Sequence, residues 1–289
     1  MGITVLNTQE LEYIYGIKTP FEHTAIKNIN IDIEKGELIG IIGHTGSGKS
    51  TLIQHFNALL KPTSGKVFVD GVDIWQDKTS TRNARFSVGL CFQYPEYQLF
   101  EETVEKDISF GPKNMGLSED EIKRRVREAI KFVGLDESYL EKSPFDLSGG
   151  EKRRVAIAGV MAMEPKILVL DEPCAGLDPK GRDTVLSLIS QYRKDTGSTV
   201  MIVSHSMEDV AKIASRVLVM NKGEEAMFGT VDEVYSRADE LVEMGLNIPE
   251  ITSIFLKLKE KGFDVRTDIY TVEAGRRELL KFLKGGKAK

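Results

Sequence analysis

The chain is poor in the features that mark secreted, metal-clustered or membrane-spanning proteins. Only two cysteines, Cys91 and Cys174, occur in 289 residues. They share no short spacing, so neither a disulfide framework nor a cysteine metal site is expected, and a reducing cytosol fits. No apolar run approaches the roughly 18 residues that cross a bilayer, and the opening residues lack the basic-then-apolar pattern of an export signal. Work at a membrane is therefore expected to go through a partner. Positive charge is not in excess either, since 39 Lys and Arg stand against 44 Asp and Glu for a formal net charge of -5. That balance argues against a nucleic-acid binder acting through a broad basic surface. The one dense basic stretch, Lys123-Arg124-Arg125-Val126-Arg127, shares a helical pattern with Ile122, Ile130 and Val133 and reads as a solvated face. Internal repeats, long low-complexity linkers and sustained heptads are also missing.

What is present is a phosphate loop. Gly43-His44-Thr45-Gly46-Ser47-Gly48-Lys49-Ser50 satisfies G-x-x-x-x-G-K-[ST], and Thr51 continues it. Glycines at 43, 46 and 48 let the backbone wrap closely enough to aim its N–H groups at a polyphosphate. Lys49 adds a positive charge near the outer phosphates, and the Ser50 hydroxyl can ligate Mg²⁺. Context agrees: Glu37 to Ile42 reads as a buried parallel strand, and Leu52, Ile53, Phe56, Leu59 and Leu60 recur at helical spacing behind the loop.

Residues 3 to 34 alternate like half-buried strands, clearest at Ile29, Ile31 and Ile33, and a further strand pair is expected over Lys66 to Ile74, turning at Asp70-Gly71. Together they predict an antiparallel layer beside the loop. Ser118-x-x-Glu121 predicts a capping box opening a helix that stops near Gly134. Residues 94–164 are mostly helical in pattern and predict an inserted helical subdomain. The apolar runs Ile167 to Leu170, Thr199 to Val203 and Val217 to Met220, separated by helical stretches, predict a parallel sheet covered on both faces. Thr230-x-x-Glu233 opens another helix. Residues 1–240 are thus expected to form one domain and 241–289 a small extension, ending in a basic, glycine-containing tail expected to fray.

Phosphoanhydride hydrolysis needs charge neutralisation and a group that positions or deprotonates a water. Asp171 ends an apolar strand, which places its carboxylate at the carboxyl edge of the sheet, where it can hold Mg²⁺ directly or through water. Glu172 follows it and is the candidate general base. Leu147-Ser148-Gly149-Gly150-Glu151 is expected to open the helix through Arg153, Val155 and Ile157, directing backbone N–H groups and the helix dipole at an anion.

Gly43 to Thr51, Gln93, Leu147 to Glu151, Ile167 to Glu172, Ala175-Gly176-Leu177-Asp178 and His205, in this order, resemble the nucleotide-binding subunit of an ATP-binding cassette (ABC) transporter over roughly residues 1 to 235. The Leu-Ser-Gly-Gly element is highly specific for that family. The finer texture, His44 to Gly48 and Phe92-Gln93-Tyr94-Pro95-Glu96-Tyr97-Gln98-Leu99-Phe100, is similar to the ATPases of energy-coupling-factor transporters, and most of all to the second of their two paired ATPases. The resemblance implies an α/β phosphate-loop NTPase of the ABC type, with an antiparallel β layer, an inserted helical subdomain and a small C-terminal extension. It implies that Tyr15 stacks on adenine, a role for which Tyr13 competes, and that Gln93 touches Mg²⁺ and the attacking water. It also implies that His205 contacts the γ-phosphate, that Ser148, Gly149 and Gly150 grip the γ-phosphate bound by the opposite subunit, and that Asp178 crosses that interface. Two positions depart from the usual pattern, Glu151 where Gln is common and Cys174 where Ser or Thr is common; neither removes a group assigned to chemistry.

The function implied is an ATP-hydrolysing motor that uses ATP and Mg²⁺ to drive uptake of a vitamin or transition-metal ion. Its implied partners are a second, homologous ATPase, in a heterodimer in preference to a homodimer, together with a transmembrane coupling subunit and a substrate-binding membrane subunit. Nucleic acid is not among them. The implied location is peripheral, on the cytoplasmic face of the cell membrane. The alternatives are the ATPase of a conventional ABC importer and a soluble ABC ATPase of translation or DNA repair; the latter carry two cassettes or a long coiled coil, which this chain does not. Ile251, Ile254, Phe255 and Leu258 form an apolar stripe in the extension, to be packed either on this chain's own domain or on the equivalent extension of a partner.

Overall fold

The computed structural model describes residues 2–285; the tail beyond lies outside the described residues. The chain opens with β1 (Thr4–Tyr15), β2 (His23–Ile29) and β3 (Asp32–Glu34). Burial alternates as expected from Ile29 to Ile33, whereas β1, whose register shifts against β2 and its other partners, and β2 do not alternate strictly. Next come β4 (Leu38–Ile42), the phosphate loop and α1 (Lys49–Phe56), followed by the hairpin of β5 (Ser64–Val69) and β6 (Val72–Asp73). The hairpin turns at Asp70-Gly71, where both residues take positive φ. Strands β1, β2, β3, β5 and β6 form the expected antiparallel sheet, in the order β2-β1-β5-β6 with β3 beside β1.

Two elements that the sequence did not announce follow: α2 (Lys78–Ser87), capped by the Asp77 carboxylate, and the short strand β7 (Val88–Cys91). Between β7 and β8 the chain is helical. A 3₁₀ turn at Pro95–Gln98 leads to α3 (Val104–Met115), α4 (Glu119–Phe132) and α5 (Gly149–Met161). Helix α4 begins with half of the expected capping box. Ser118 Oγ accepts the Glu121 N–H, but the Glu121 carboxylate turns away to Arg124 and Arg125, because two guanidiniums outbid one backbone donor. The basic stretch on this helix is ion-paired to Glu121, Glu128 and Glu164.

The rest alternates strand and helix: β8 (Ile167–Asp171), α6 (Pro179–Thr196), β9 (Thr199–Val203), α7 (Met207–Ile213) and β10 (Arg216–Asn221). Then comes β11 (Glu224–Thr230), a hairpin partner of β10 that the sequence pattern did not reveal. The six-stranded sheet has the order β11-β10-β4-β9-β8-β7 and is parallel except at β11. Its strands bury both faces. Ile39, Ile41, Val169, Met201 and Leu218 face α1 and the antiparallel sheet, while Leu38, Ile42, Leu168, Val200 and Ile202 face the helical side. Two cores therefore sandwich one sheet, and the sheet's carboxyl edge is held from both sides.

After α8 (Val231–Tyr235), capped by a complete Thr230–Glu233 box, the chain forms α9 (Ala238–Glu243), α10 (Glu250–Glu260) and α11 (Val272–Gly285). The extension is not too short to bury its own stripe. Phe255, Val265 and Ile269 form a small separate core, with Ile251, Leu258, Leu279 and Phe282 packed against it. Tyr270 joins this unit to the main body by packing edge-to-face on buried Tyr235, with ring centroids 5.4 Å apart. Ile254 is the exception in the stripe and remains exposed.

Candidate active site

Strands β4, β8 and β9 are neighbours and parallel, so the loops that leave their carboxyl ends converge. The first carries Gly43 to Ser50, the second Asp171 and Glu172, the third His205. The expected site residues from these three segments are thereby brought together. Gly43 and Gly48 have to be glycine. A Cβ at 43 would lie 2.4 Å from the Met220 carbonyl oxygen, and one at 48, where φ is 100°, would lie 2.7 Å from the Ala25 oxygen. Lys49 is buried and donates from Nζ to the carbonyls of Gly43 at 2.7 Å and His44 at 3.0 Å. Burial pulls its pKa down, against the opposing charges of Glu172 and Asp171. Ser47 Oγ is buried without a hydrogen-bond partner, an unspent polar atom inside the loop.

Asp171 is nearly buried and accepts a hydrogen bond from Ser50 Oγ to Oδ2 at 3.2 Å. Burial raises its pKa, with the Ser50 hydrogen bond and Lys49 opposing the shift. A carboxylate and a hydroxyl side by side, both hard oxygen donors at the mouth of a phosphate loop, suit a magnesium ion that keeps waters and phosphate oxygens as its other ligands. Gln93 lies exposed beyond β7, which is separated from β4 by two strands, β9 and β8.

Glu172 is the most perturbed acid of this edge. Its backbone is left-handed at φ 50°, Oε1 is buried without a hydrogen-bond partner, and His205 Nε2 stands 3.4 Å from that oxygen. Burial first, and the Asp171 charge second, raise its pKa to about 7, against the attraction of Lys49. A carboxyl poised there can exchange a proton with water near neutral pH. Burial and Lys49 lower the His205 pKa, so the imidazole is neutral where Glu172 ionises.

Tyr15 ends β1 rather than sitting in the loop beyond it. Its ring is exposed, with the hydroxyl 3.3 Å from Thr51 Oγ1. Tyr13 is instead half-buried, packing edge-on against Tyr15 and His55. Of the two competitors only Tyr15 presents a face beside the phosphate loop.

Ser148, Gly149, Gly150 and Asp178 are not brought to this chain's own phosphate loop by any hydrogen bond among the described residues. Ser148 caps α5 and Asp178 caps α6, accepting from Gly181 N at 2.7 Å, and all four are exposed. Glu151 completes a capping box. It takes the Ser148 N–H and Oγ–H at 2.8 and 2.6 Å and the Tyr139 O–H at 2.7 Å, and these bonds hold its carboxyl down to about 2. The departure from Gln therefore gives α5 a rigid, anionic cap whose remaining N–H groups still face outward. A buried residue that the sequence reading did not single out is Arg153, whose guanidinium is paired with Glu96.

Residues 26–175 match the ABC transporter family. Over 280 residues, 96% of this chain and 98% of the relative, the sequence is 55% identical to the energy-coupling factor transporter ATP-binding protein EcfA2 of Clostridium perfringens. It is 56% identical over 283 residues to the EcfA2 of Clostridium acetobutylicum, covering 98% of this chain and 99% of that one. The chain belongs to the ABC transporter ATPases, in their energy-coupling-factor group. Among solved structures, cbiO1 of Clostridium perfringens, part of the ABC transporter complex cbiONQ, superposes with TM-score 0.73 at 41% identity over 86% of this ATPase and 97% of that chain. The ATP-binding cassette MJ0796, seen as a dimer after hydrolysis with ADP and phosphate bound, superposes with TM-score 0.69 at 29% identity, covering 78% and 98%.

The raised Glu172 pKa has a thermodynamic consequence for this ATPase. Its folded value of about 7 lies above the ordinary 4.5, so the fold holds this proton more tightly than the unfolded chain does. The associated stability is complete below pH 4.5 and is lost as pH rises through about 7. Glu172→Gln is accordingly expected to raise the nucleotide-free melting temperature at about pH 8 and to change it little at about pH 5. Thermal melts of both proteins at the two pH values check this, and an equal shift at both would contradict a buried, high-pKa carboxyl.

Proposed function

We propose that this chain is the ATP-hydrolysing motor of an energy-coupling-factor-type importer, with Glu172 as its general base. The observation that carries the assignment is Glu172 itself, a strained residue whose unpartnered Oε1 lies beside His205 at the end of β8. ATP is bound by residues 43–51 with its adenine on the exposed Tyr15 ring. Ser50 and Asp171 would hold Mg²⁺, with Gln93 as a further oxygen donor; the ion would supply charge neutralisation to the phosphates. Lys49 gives up its loop carbonyls for phosphate oxygens. Glu172 takes the proton of the attacking water, while His205 donates a hydrogen bond toward the γ-phosphate. Replacing Glu172 by Gln keeps shape but removes the proton acceptor. ATP binding is expected to persist while turnover falls by about 10²-fold or more; hydrolysis at the parent rate in the assembled transporter would exclude Glu172 as base.

The exposed N-terminus of α5 and the cap of α6 are read as the surface that closes on the ATP of a second, homologous ATPase. Neither site is then complete alone. Ser148→Arg is expected to stop hydrolysis at the partner's phosphate loop and to leave this chain's own nucleotide affinity intact, because the added bulk blocks the approach of the α5 N-terminus. Nucleotide titration of the isolated variant tests the assignment, and a large loss of affinity would mean that Ser148 acts in cis.

No described helix is long and apolar enough to cross a membrane. A groove of about 300 Å³ lies between α2, α3 and α5, bordered by Gln98, Leu99 and the exposed rings of Phe100 and Phe110. We assign it to the transmembrane coupling subunit, which together with a substrate-binding membrane subunit places this chain peripherally on the cytoplasmic face. The cargo is a vitamin or a transition-metal ion that the ATPase never touches. The extension is assigned to pairing with the second ATPase, in a heterodimer in preference to a homodimer. Its own core is satisfied, yet Ile254, Phe263, Val272, Leu280 and Leu283 remain exposed. Val272→Asp with Leu283→Asp spares that core and is expected to abolish nucleotide-independent association in light scattering. Unchanged association would remove the extension from the dimer interface.

A further inference from the structure

Gln93 and the groove beside Phe100 share one segment of chain, Glu172 belongs to another, and one buried side chain touches both segments. Arg153 projects from the second turn of α5 and is 5% exposed. Its Nη2 and Nε donate to Glu96 Oε1 and Oε2 at 2.9 and 3.2 Å, a two-pronged pair. Its Nη1 donates to the Ala175 carbonyl at 2.6 Å. Glu96 sits in the 3₁₀ turn three residues past Gln93 and leads directly into Gln98, Leu99 and Phe100 at the groove. Ala175 closes the turn after β8, and its own N–H donates to the Glu172 carbonyl at 3.1 Å. A continuous route of two salt-bridge hydrogen bonds and two backbone-carbonyl bonds thus runs from the groove segment to the backbone of Glu172.

Both ends of this route are strained. Tyr94, whose ring lies 5.9 Å from the Arg153 guanidinium, has φ 55°, and Glu172 has φ 50°. A non-glycine residue held in the left-handed region is strained and persists only where its surroundings hold it. Stability alone does not explain an arginine here, since replacing a buried ion pair by a matched apolar pair is often neutral or stabilising. What the guanidinium adds is geometry: a rigid planar fork meets two carboxylate oxygens side by side and reaches a carbonyl with its third nitrogen, whereas an ammonium is a point charge without that fixed span.

We propose that Arg153 is a positioning residue that sets the Glu172 backbone against the segment Tyr94–Phe100, so that displacement of this segment at the groove is passed to the base. Its positioning arm stands on the geometry alone; its coupling arm rests on the groove being the docking surface for the membrane subunit. When the groove is filled, Glu96 moves, Arg153 follows it, and the Ala175 carbonyl carries the turn that presents Glu172. With the fork missing, the turn after β8 is free to relax its left-handed strain, and Glu172 drifts from the attacking water.

The test uses the assembled transporter and the purified ATPase pair. Arg153→Met/Glu96→Met replaces the ion pair by an apolar pair of similar volume. It is expected to keep the melting temperature within a few degrees and the KM for ATP within about twofold, because the phosphate loop is untouched, while kcat falls by about 10²-fold, the effect of misplacing a reacting group by about an ångström. Arg153→Lys is expected to lose turnover as well, since charge without the fork does not restore the turn. Glu96→Gln keeps the shape of the pair and serves if the double variant fails to fold; a fall in kcat of about tenfold at constant KM is expected for it. Turnover at the parent rate in a folded Met/Met or Gln variant overturns the proposal. The coupling arm is read from the ratio of kcat with and without the membrane subunits: the parent is stimulated and the variants are not. A parent without stimulation would instead sink the docking assignment of the groove, whereas stimulation that persists in the variants sinks the coupling role of Arg153.

Discussion

Two carboxylates and one ammonium are forced into the same dry edge of a parallel sheet, and the rest of the molecule is arranged to keep them there. Lys49, Asp171 and Glu172 perturb one another, each is penalised by burial, and only part of that penalty is returned by their mutual attraction. In an isolated pair such groups would neutralise or turn outward. Here turning outward is closed off, and Glu172 takes the other course by holding its proton up to about pH 7. Asp171 is fixed by pairing in register with Val203, Lys49 is tied to loop carbonyls, and Glu172 is held in a left-handed conformation by its N–H bond to the Val203 carbonyl and by the Ala175 turn. The unfavourable electrostatics of the edge are stored by the two cores that sandwich the sheet. A polyphosphate with its metal is the ligand whose charges complement them, the phosphates meeting Lys49 and the metal meeting Asp171.

The complementary constraint lies at the opposite kind of surface. Helices α5 and α6 expose their N-termini with their caps already satisfied, by the Ser148–Glu151 box and by Asp178. A capped yet exposed helix start retains a positive end and outward N–H groups without strain of its own. Such an element offers affinity for an anion but supplies no nucleophile, base or metal ligand. The chain therefore carries a chemically active edge and an electrostatically complementary face, and among the described residues no hydrogen bond joins Ser148, Gly149, Gly150 or Asp178 to the phosphate loop. Two copies of this plan, or two homologous chains, are what the arrangement requires.

Much of this was legible in the sequence because the legible parts are local. The phosphate loop, the run Ile167 to Glu172 and the Ser148 box are contiguous, and each states its own geometry through glycine spacing, apolar length or cap chemistry. The elements that escaped notice are those whose structure depends on distant chain. Strand β7 is four residues long and is a strand because β8 lies beside it. Strand β11, Glu224 to Thr230, lacks an alternating apolar pattern and forms by pairing with β10. Glu121 was expected to reach back to Ser118, yet Arg124 and Arg125 compete for it, a preference visible only once α4 has formed. Arg153 is the sharpest instance. In sequence it is only a position on the helix that Ser148 opens, with Val155 and Ile157, and it is buried because Glu96, fifty-seven positions earlier, provides its counter-charge.

The same reasoning separates the extension from the domain it follows. Its core is small, centred on Phe255, and is linked to the main body through Tyr270 on Tyr235 and through Leu241. A unit of that size buries too little apolar surface to gain much stability by itself, so its order is borrowed from what it touches. Packing on the main body accounts for Tyr270 and Leu241 but leaves five large apolar side chains in water. Covering them with a second ATPase would stabilise the unit where it is weakest, at the α10–α11 face, and would do so independently of nucleotide because no residue of the extension approaches the phosphate loop through a described hydrogen bond. Association at this end and ATP-dependent closure at the α5 and α6 caps then act on different surfaces. On the proposed assignment, the opening of one interface would not require the loss of the other, so the motor would cycle without dispersing its subunits.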